Sequence, residues 1–254
     1  MRFMTIALAM TLMSMLAIGT APTAEAAGET VTYEIAGGPY EGYQVKAVGP
    51  SKGLVLVIHD WDGLTDYEIK RADMLAELGY DAFAVDLYGK GNRPVETGAK
   101  KAEIGKLYSD RETFRKRIIA GLAEARKTFS GSTVVMGYCF GGAAVLELAR
   151  SGKAPDVKGY VSFHGGLDTP DGQNYSQANA PLLIAHGAAD KGIPMQAVAT
   201  LTEELESAGA TYTIEVYSGA PHAFTVFGSN RYQERADTLS WASFQNFLGE
   251  TLTN

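Results

Sequence analysis

The chain of 254 residues holds a single cysteine, Cys139. No internal disulfide can form, so the core alone must stabilise the fold. Positive charge is also scarce: 22 Lys and Arg stand against 29 Asp and Glu, for a net charge of −7. That balance lacks the basic patch a nucleic-acid partner calls for. The densest positive stretch, Arg111 to Arg117, alternates with apolar residues and reads as the wet face of a helix. There is no internal repeat, low-complexity tract or linker. Long apolar runs are missing too, with one exception at the amino end.

That exception reads as a targeting segment. Arg2 gives a short positive start, Met4 to Ile18 is almost wholly apolar, and Ala24-Glu25-Ala26 supplies the small-x-small pattern of a signal-peptidase site. The run is short for a membrane span. The expectation is a secretory leader over residues 1–26 and an exported chain, periplasmic or secreted, that leaves the membrane after cleavage. A lone cysteine in such a chain is either packing or a thiol kept for its reactivity.

Residues 28–254 read as one α/β domain. A polar hairpin is expected from Val31 to Ile35 and Tyr43 to Val48. Short β-branched runs then predict strands buried on both faces at 53–59, 82–85, 133–136, 157–163 and 182–185. Helices are predicted from Asp66 to Leu78, Glu96 to Leu107, Gly141 to Arg150, Pro194 to Ala208 and Tyr232 to Leu248, with Asp110 capping one that runs to about Phe129. Such alternation predicts a mostly parallel central sheet covered by helices on both faces. Ligands on such sheets bind beyond the carboxyl ends of the strands.

One of those strand ends reads Gly137-Tyr138-Cys139-Phe140-Gly141-Gly142, which is G-x-C-x-G between a strand and a helix. This is the form of a nucleophile elbow with cysteine in place of serine. Flanking glycines let the turn close without side-chain collisions, and the helix amino end is expected to favour the thiolate. An elbow hydrolase needs an acid and then a histidine further along the chain. His222, in Gly219-Ala-Pro-His-Ala-Phe224, is the one histidine that follows both Cys139 and a strand-end acid, Asp190. His59, His164 and His186 read as structural; Asp168 and Asp171 are rival acids in a turn-like loop. The predicted catalytic residues are Cys139, Asp190 and His222, with the backbone N–H groups of Phe140 and Trp61 as the oxyanion hole.

With these motifs in place the chain resembles the dienelactone hydrolase family, the carboxymethylenebutenolidase-like α/β-hydrolases. The resemblance rests on Val57-Ile-His-Asp-Trp-Asp-Gly63, Asp86-Leu-Tyr88, Gly137-Tyr-Cys-Phe-Gly-Gly142, His186-Gly-Ala-Ala-Asp190 and Pro221-His-Ala-Phe224. It implies an α/β-hydrolase fold and cysteine-dependent hydrolysis of an ester or lactone, with no metal and no organic cofactor. Three positions depart from the best-known members. Asp60 stands where they have a glutamate that holds the resting thiol's proton. An arginine that binds substrate carboxylate is matched by Lys90 or, more loosely, Arg93. A second such arginine is replaced by Val226.

The expected chemistry is attack by Cys139 on an ester or lactone carbonyl, assisted by His222, through a thioester that water then cleaves. Tyr43, Tyr88, Tyr138 and Phe224, with Trp61 and Phe140, are candidate pocket-lining aromatics. Two other classes stay open on the residues alone: a small-molecule-binding protein that kept the fold, and a redox or acyl-carrying thiol protein.

Overall fold

Because side chains alternate along a strand, each buried strand feeds two cores at once. In the computed structural model, which describes residues 28–35 and 37–252, eight strands make one sheet. They are β1 (Glu29–Ile35), β2 (Gly38–Val45), β3 (Leu54–Ile58), β4 (Asp81–Val85), β5 (Thr133–Tyr138), β6 (Val157–Phe163), β7 (Leu182–Gly187) and β8 (Tyr212–Tyr217). The order across the sheet is β1-β2-β4-β3-β5-β6-β7-β8. The first two strands form an antiparallel hairpin, β2 meets β4 antiparallel, and all other pairings are parallel. The predicted leader lies outside the described residues. Among these, no helix is long and apolar enough to cross a membrane.

The helices are α1 (Asp66–Glu77), α2 (Thr97–Ser109), α3 (Arg111–Thr128), α4 (Phe140–Ser151), α5 (Met195–Ala208) and α6 (Glu234–Leu252). Leu54, Leu56 and Ile58 of β3 share one core with Phe114 and Ile118 of α3, Val145 and Leu148 of α4, and Leu201 and Leu205 of α5. Val55 and Val57, pointing the other way, join Ala72 and Leu75 of α1 and Phe244 and Leu248 of α6. The α/β-hydrolase reading therefore holds in its layers.

Local chemistry sets the helix ends much as expected. Asp110 accepts from the Thr113 amide at 2.9 Å and caps α3. Pro194 is the residue before α5 and not part of its first turn. Two boundaries shift. The second hairpin strand begins at Gly38 and not at Tyr43, because Ile35 already pairs with Gly38 and Tyr33 with Tyr40. The last helix runs on to Leu252, whose side chain is buried in the second core.

Candidate active site

The third central strand, β5, ends in a turn that only small neighbours permit. A Cβ on Gly137 would lie 2.3 Å from the carbonyl carbon of Gly141, and one on Gly141 would lie 2.3 Å from the Ile58 oxygen. Helix α4 can thus start immediately against β3. Cys139 between them takes φ 52° and ψ −111°, a strained conformation for a residue with a side chain. Its amide is held by the Phe163 carbonyl at 3.0 Å.

Two loops bring partners to the thiol. Past β8, His222 places Nε2 at 3.1 Å from Cys139 Sγ. Past β7, Asp190 accepts from His222 Nδ1 through Oδ2 at 2.7 Å. Its other oxygen accepts the Gly192 and Ile193 amides at 2.8 and 3.0 Å. Although burial works against ionisation, the bond and charge of His222 and these two amides hold the Asp190 carboxyl below the usual range. The three residues selected by chain order therefore stand in one hydrogen-bonded line. Asp168 lies elsewhere, in a separate cavity with Tyr108, Arg111 and Arg150.

A cavity of about 100 Å³ opens on this line, bordered by Asp60, Trp61, Cys139, His222, Ala223 and Arg231. The Phe140 N–H is directed at the sulfur, while the Phe140 ring stacks on Phe114 at 5.2 Å inside the core and does not line the cavity. On the opposite wall the Asp60 amide is spent on Glu68 Oε1 at 3.2 Å and the Asp62 amide on Asp60 Oδ1 at 3.0 Å. Between them the Trp61 amide has no hydrogen-bond partner among the described residues, and Trp61 borders the cavity. Tyr88 braces this wall by donating from its hydroxyl to the Trp61 carbonyl at 3.2 Å.

The thiol itself departs from expectation. Burial, then the negative charge of Asp60, push the Cys139 pKa up to about 12, and the Phe140 amide and Arg231 offset only part of this. The Phe140 amide at the helix amino end lowers the thiol pKa as expected, but burial outweighs it. Asp60 is itself pushed up to about 9 by burial and by its neighbours Asp62 and Glu68, so at neutral pH it is protonated. It borders the cavity, but the hydrogen bond made by Sγ goes to His222.

Asp60, Asp62 and Glu68 bring carboxylate oxygens within 4.8 Å of one another. Their lone pairs are already engaged: Glu68 Oε2 accepts from Thr65 N and Oγ1 at 2.9 Å, and Asp62 pairs with Lys100 at 3.3 Å. The cluster builds the turn that carries Trp61, which is a sufficient reason for these residues.

Several predicted substrate contacts are not at the site. Lys90 reaches Thr32 at 2.9 Å and Glu41 at 3.3 Å on the hairpin side of the sheet. Arg93 spends its guanidinium on the carbonyls of Leu64, Gly89 and Asn92 and on Asp86, bracing one loop against another. Tyr138 points into the α1–α6 core, its ring 5.0 Å from Tyr67 and from Phe163. Phe224 is buried between His164 and Tyr217. Tyr43 is tied to Asp73 on α1.

His59 is structural as read: Nε2 accepts the Leu87 amide at 3.1 Å, so Nδ1 carries the proton and donates to the Asp60 carbonyl at 2.6 Å. Arg231 was not singled out from the sequence. It comes to the cavity mouth through the turns between Ala223 and α6, and no motif marks it.

Comparison with known proteins identifies the family. The family model described as "Dienelactone hydrolase family" matches residues 40–252. A Bradyrhizobium protein named "Probable 2-oxo-3-(5-oxofuran-2-ylidene)propanoate lactonase" is 25% identical over 202 residues, 74% of this chain and 79% of its own. A "Carboxymethylenebutenolidase homolog" of Mus musculus is 26% identical over 157 residues, 60% of this chain and 62% of its own. Among solved structures, the dienelactone hydrolase-like promiscuous phosphotriesterase P91, from metagenomic libraries, superposes with a TM-score of 0.81 at 28% identity. That match covers 90% of this chain and 99% of P91. A match spanning most of the chain, on a sheet with this order and this strand-to-helix turn, leaves one assignment: the protein is a hydrolase of the dienelactone hydrolase family.

Proposed function

We propose that this hydrolase cleaves activated esters or lactones with Cys139 as nucleophile, His222 as proton carrier and Asp190 as its orienter. The observation that carries the reading is the unbroken line Sγ–Nε2 at 3.1 Å and Nδ1–Oδ2 at 2.7 Å, mounted on a strained strand-to-helix turn. With the thiol protonated at rest, His222 takes its proton as sulfur approaches the carbonyl carbon. The tetrahedral oxyanion is held by the Phe140 and Trp61 amides. The leaving alkoxide or enolate takes the thiol's proton from His222, directly or through solvent, which returns His222 to its neutral form. Water, deprotonated by His222, then cleaves the thioester. Asp190 holds the imidazole tautomer and stabilises the imidazolium.

The cysteine narrows the substrate. In the tetrahedral intermediate a thiolate leaves more readily than an amine or simple alkoxide, so activated esters and enol lactones are favoured over amides. The small cavity fits a compact acyl group, and Arg231 at its mouth suits a substrate that carries a carboxylate. The lactone of an oxo acid named for the Bradyrhizobium relative has that chemistry. The apolar segment from Met4 to Ile18 supports export, which an intact mass starting near Ala27 would test.

The deciding experiment is hydrolysis of p-nitrophenyl acetate from pH 5 to 9 by wild type, Cys139→Ala and His222→Ala. Turnover by wild type with both variants at background is expected. Equal rates in all three would refute the nucleophile assignment and leave a binding protein on a hydrolase fold.

A further inference from the structure

A second cavity, of about 270 Å³, shares no lining residue with the one at Cys139. Its walls include Tyr108 at the end of α2, Arg111 at the start of α3, Ala143 and Arg150 on α4, and Asp168 and Pro170 in the loop after β6. Ala143 and Arg150 are two turns apart on one face of α4, with Glu147 between them. The Ala143 amide bonds to the Cys139 carbonyl at 3.2 Å, so the cavity begins one helical turn from the catalytic line.

Glu147 gathers the cations of this cavity. It is fully buried, and its Oε1 accepts from Arg115 at 2.6 Å while its Oε2 accepts from Arg111 at 3.2 Å and from Arg150 at 3.1 Å. Although burial opposes ionisation, Arg150 and Arg115 hold the Glu147 carboxyl below the usual range. One carboxylate cannot neutralise three guanidiniums, and Arg115 makes the shortest contact with it. Arg111 and Arg150, the two that line the cavity, face one anionic side chain there, the exposed Asp168. A local excess of positive charge results, against the trend of a chain whose net charge is −7. The donors are also held in place. The Arg150 side chain is 3% exposed; its Nε donates to Gln173 at 2.9 Å and its Nη1 to the Tyr175 hydroxyl at 2.8 Å. With Glu147 that engages three of its five N–H groups and leaves two. Arg111 lies 4.4 Å over the Tyr108 ring and gives Glu147 one nitrogen, leaving the rest of its fork without a partner among the described residues.

We propose that this cavity is a second binding site, for an oxyanion group, carboxylate or phosphate, carried by a small organic molecule. Forked guanidinium donors match two oxygens of such a group, and Arg111 and Arg150 bring two forks to one wall. The Tyr108 hydroxyl adds a neutral donor; it lies 3.8 Å from where a Cβ on Gly166 would stand in the same wall. Because the bond to Glu147 and the stacking on Tyr108 already order Arg111, and three bonds order Arg150, little side-chain freedom is lost on binding. Ala143 and Pro170 give an apolar surface for the body of the ligand, and about 270 Å³ is well beyond the roughly 30 Å³ share of one water molecule. Asp168 opposes the ligand's charge from the rim, so it sets the affinity from the other direction. The site does not depend on Cys139 being a nucleophile.

The test is a titration of 15N-arginine-labelled protein with benzoate, inorganic phosphate and neutral benzamide at low salt, read from the Arg Nε–H signals; Arg111→Met assigns the Arg111 signal. One or both anions should shift it saturably with Kd of about 1 mM or tighter, and benzamide should not. Tighter benzoate binding assigns an organic carboxylate, and tighter phosphate binding a phosphate ester. Arg111→Met should weaken the anion about tenfold or more, as loss of a charge-assisted hydrogen bond does. Asp168→Asn removes the opposing charge and should tighten it about threefold. Arg231→Met, at the other cavity, should leave it within about twofold, since no residue is shared between the two walls. Absence of a saturable shift from either anion at about 10 mM, or equal binding of benzamide, overturns the site. So does binding that Arg231→Met abolishes and Arg111→Met leaves intact, because the anion then sits at the catalytic line. If Arg111→Met does not fold, Asp168→Asn, at an exposed residue, carries the charge test alone, and an unchanged or weakened affinity there refutes the proposal. None of these readouts uses esterase activity, so they stand or fall separately from Cys139→Ala and His222→Ala.

Discussion

Replacing Arg71 by methionine separates the site's support from its chemistry. Arg71 is almost completely buried on α1, with its side chain 1% exposed. It donates to the Thr225 carbonyl at 2.9 Å and to Asp237 at the start of α6, and its guanidinium lies 4.2 Å from the Phe227 ring centre and 5.0 Å from that of Trp241. It thereby ties α1, the His222 loop and α6 together. Burial raises the Asp237 carboxyl above its usual value, and the Arg71 charge is the main force opposing that. Without Arg71, Asp237 takes up a proton rather than remain a bare buried charge. The unfolded carboxyl has a reference value of 3.8, so neutralising it at pH 7 costs about 4 kcal/mol at about 1.4 kcal/mol per pH unit, and about 2 kcal/mol at pH 5. This agrees with the roughly 3–5 kcal/mol seen when one partner of a buried pair is removed. The sign follows from proton counting: the variant's native state binds a proton that its unfolded state does not, so the penalty grows as pH rises. Urea unfolding of wild type and Arg71→Met at pH 5 and 7 measures it. Arg71→Met/Asp237→Asn should recover most of the loss at pH 7. A penalty below about 1 kcal/mol, or one that does not change with pH, would refute the account.

Asp60→Asn mimics the protonated carboxyl present below about pH 9. Above that pH the wild-type carboxylate places a negative charge beside the forming thiolate, so the wild-type rate should fall as pH rises through 9. The variant should keep its neutral-pH rate within about threefold and lose that alkaline fall, whereas a 100-fold loss at pH 7 would make Asp60 a proton carrier. Arg231→Met should raise KM for a carboxylate-bearing lactone about tenfold or more, the worth of one charge-assisted hydrogen bond, and leave a neutral ester within twofold. Equal effects on both substrates would remove the anion-binding role. Gly141→Ala forces a Cβ to within 2.3 Å of the Ile58 carbonyl and should destabilise by about 1–3 kcal/mol with loss of esterase activity, read from urea midpoints and p-nitrophenyl acetate turnover. An unchanged midpoint would show that the elbow tolerates a side chain.

What the sequence made legible is what depends on local pattern and chain order. Cys139, Asp190 and His222 follow from a G-x-C-x-G turn and from strands whose ends must share one edge of a parallel sheet. The side chains around them depend on direction, which a strand reverses at every residue. Tyr138 and Phe140 flank Cys139, yet one enters the α1–α6 core and the other stacks on α3. Lys90 and Arg93 matched a family position by type, but their hydrogen bonds belong to the hairpin and to the Asp86 loop. Arg231 was invisible because the turns from Ala223 to Gln233 set its place, and no residue pattern there announces them. The thiol's acidity depends first on burial and then on Asp60, which the turn capped by Glu68 holds beside it; the helix end alone pointed in the other direction.

In the proposed mechanism strain and proton placement together make this cysteine selective. Among the described residues, three that are not glycine have positive φ: Cys139, His164 and Ala223. One is the proposed nucleophile, one packs its ring edge-to-face against His222 and one follows that histidine. Each costs on the order of 1–3 kcal/mol, which the cores on either side of the sheet must offset. Burial opposes ionisation of the thiol they hold. Oxidants and alkylating agents act on the thiolate, so a resting thiol of this kind is poorly reactive towards them. For the exported protein proposed here, that protects the chain's one cysteine outside the reducing cytoplasm. In the proposed mechanism reactivity appears only when a carbonyl lies between the Phe140 and Trp61 amides and the proton can pass to His222. If Cys139 is the nucleophile, as proposed, the same arrangement that spares the thiol from oxidants ties its nucleophilicity to the substrate, and it favours leaving groups able to depart before the thiolate does.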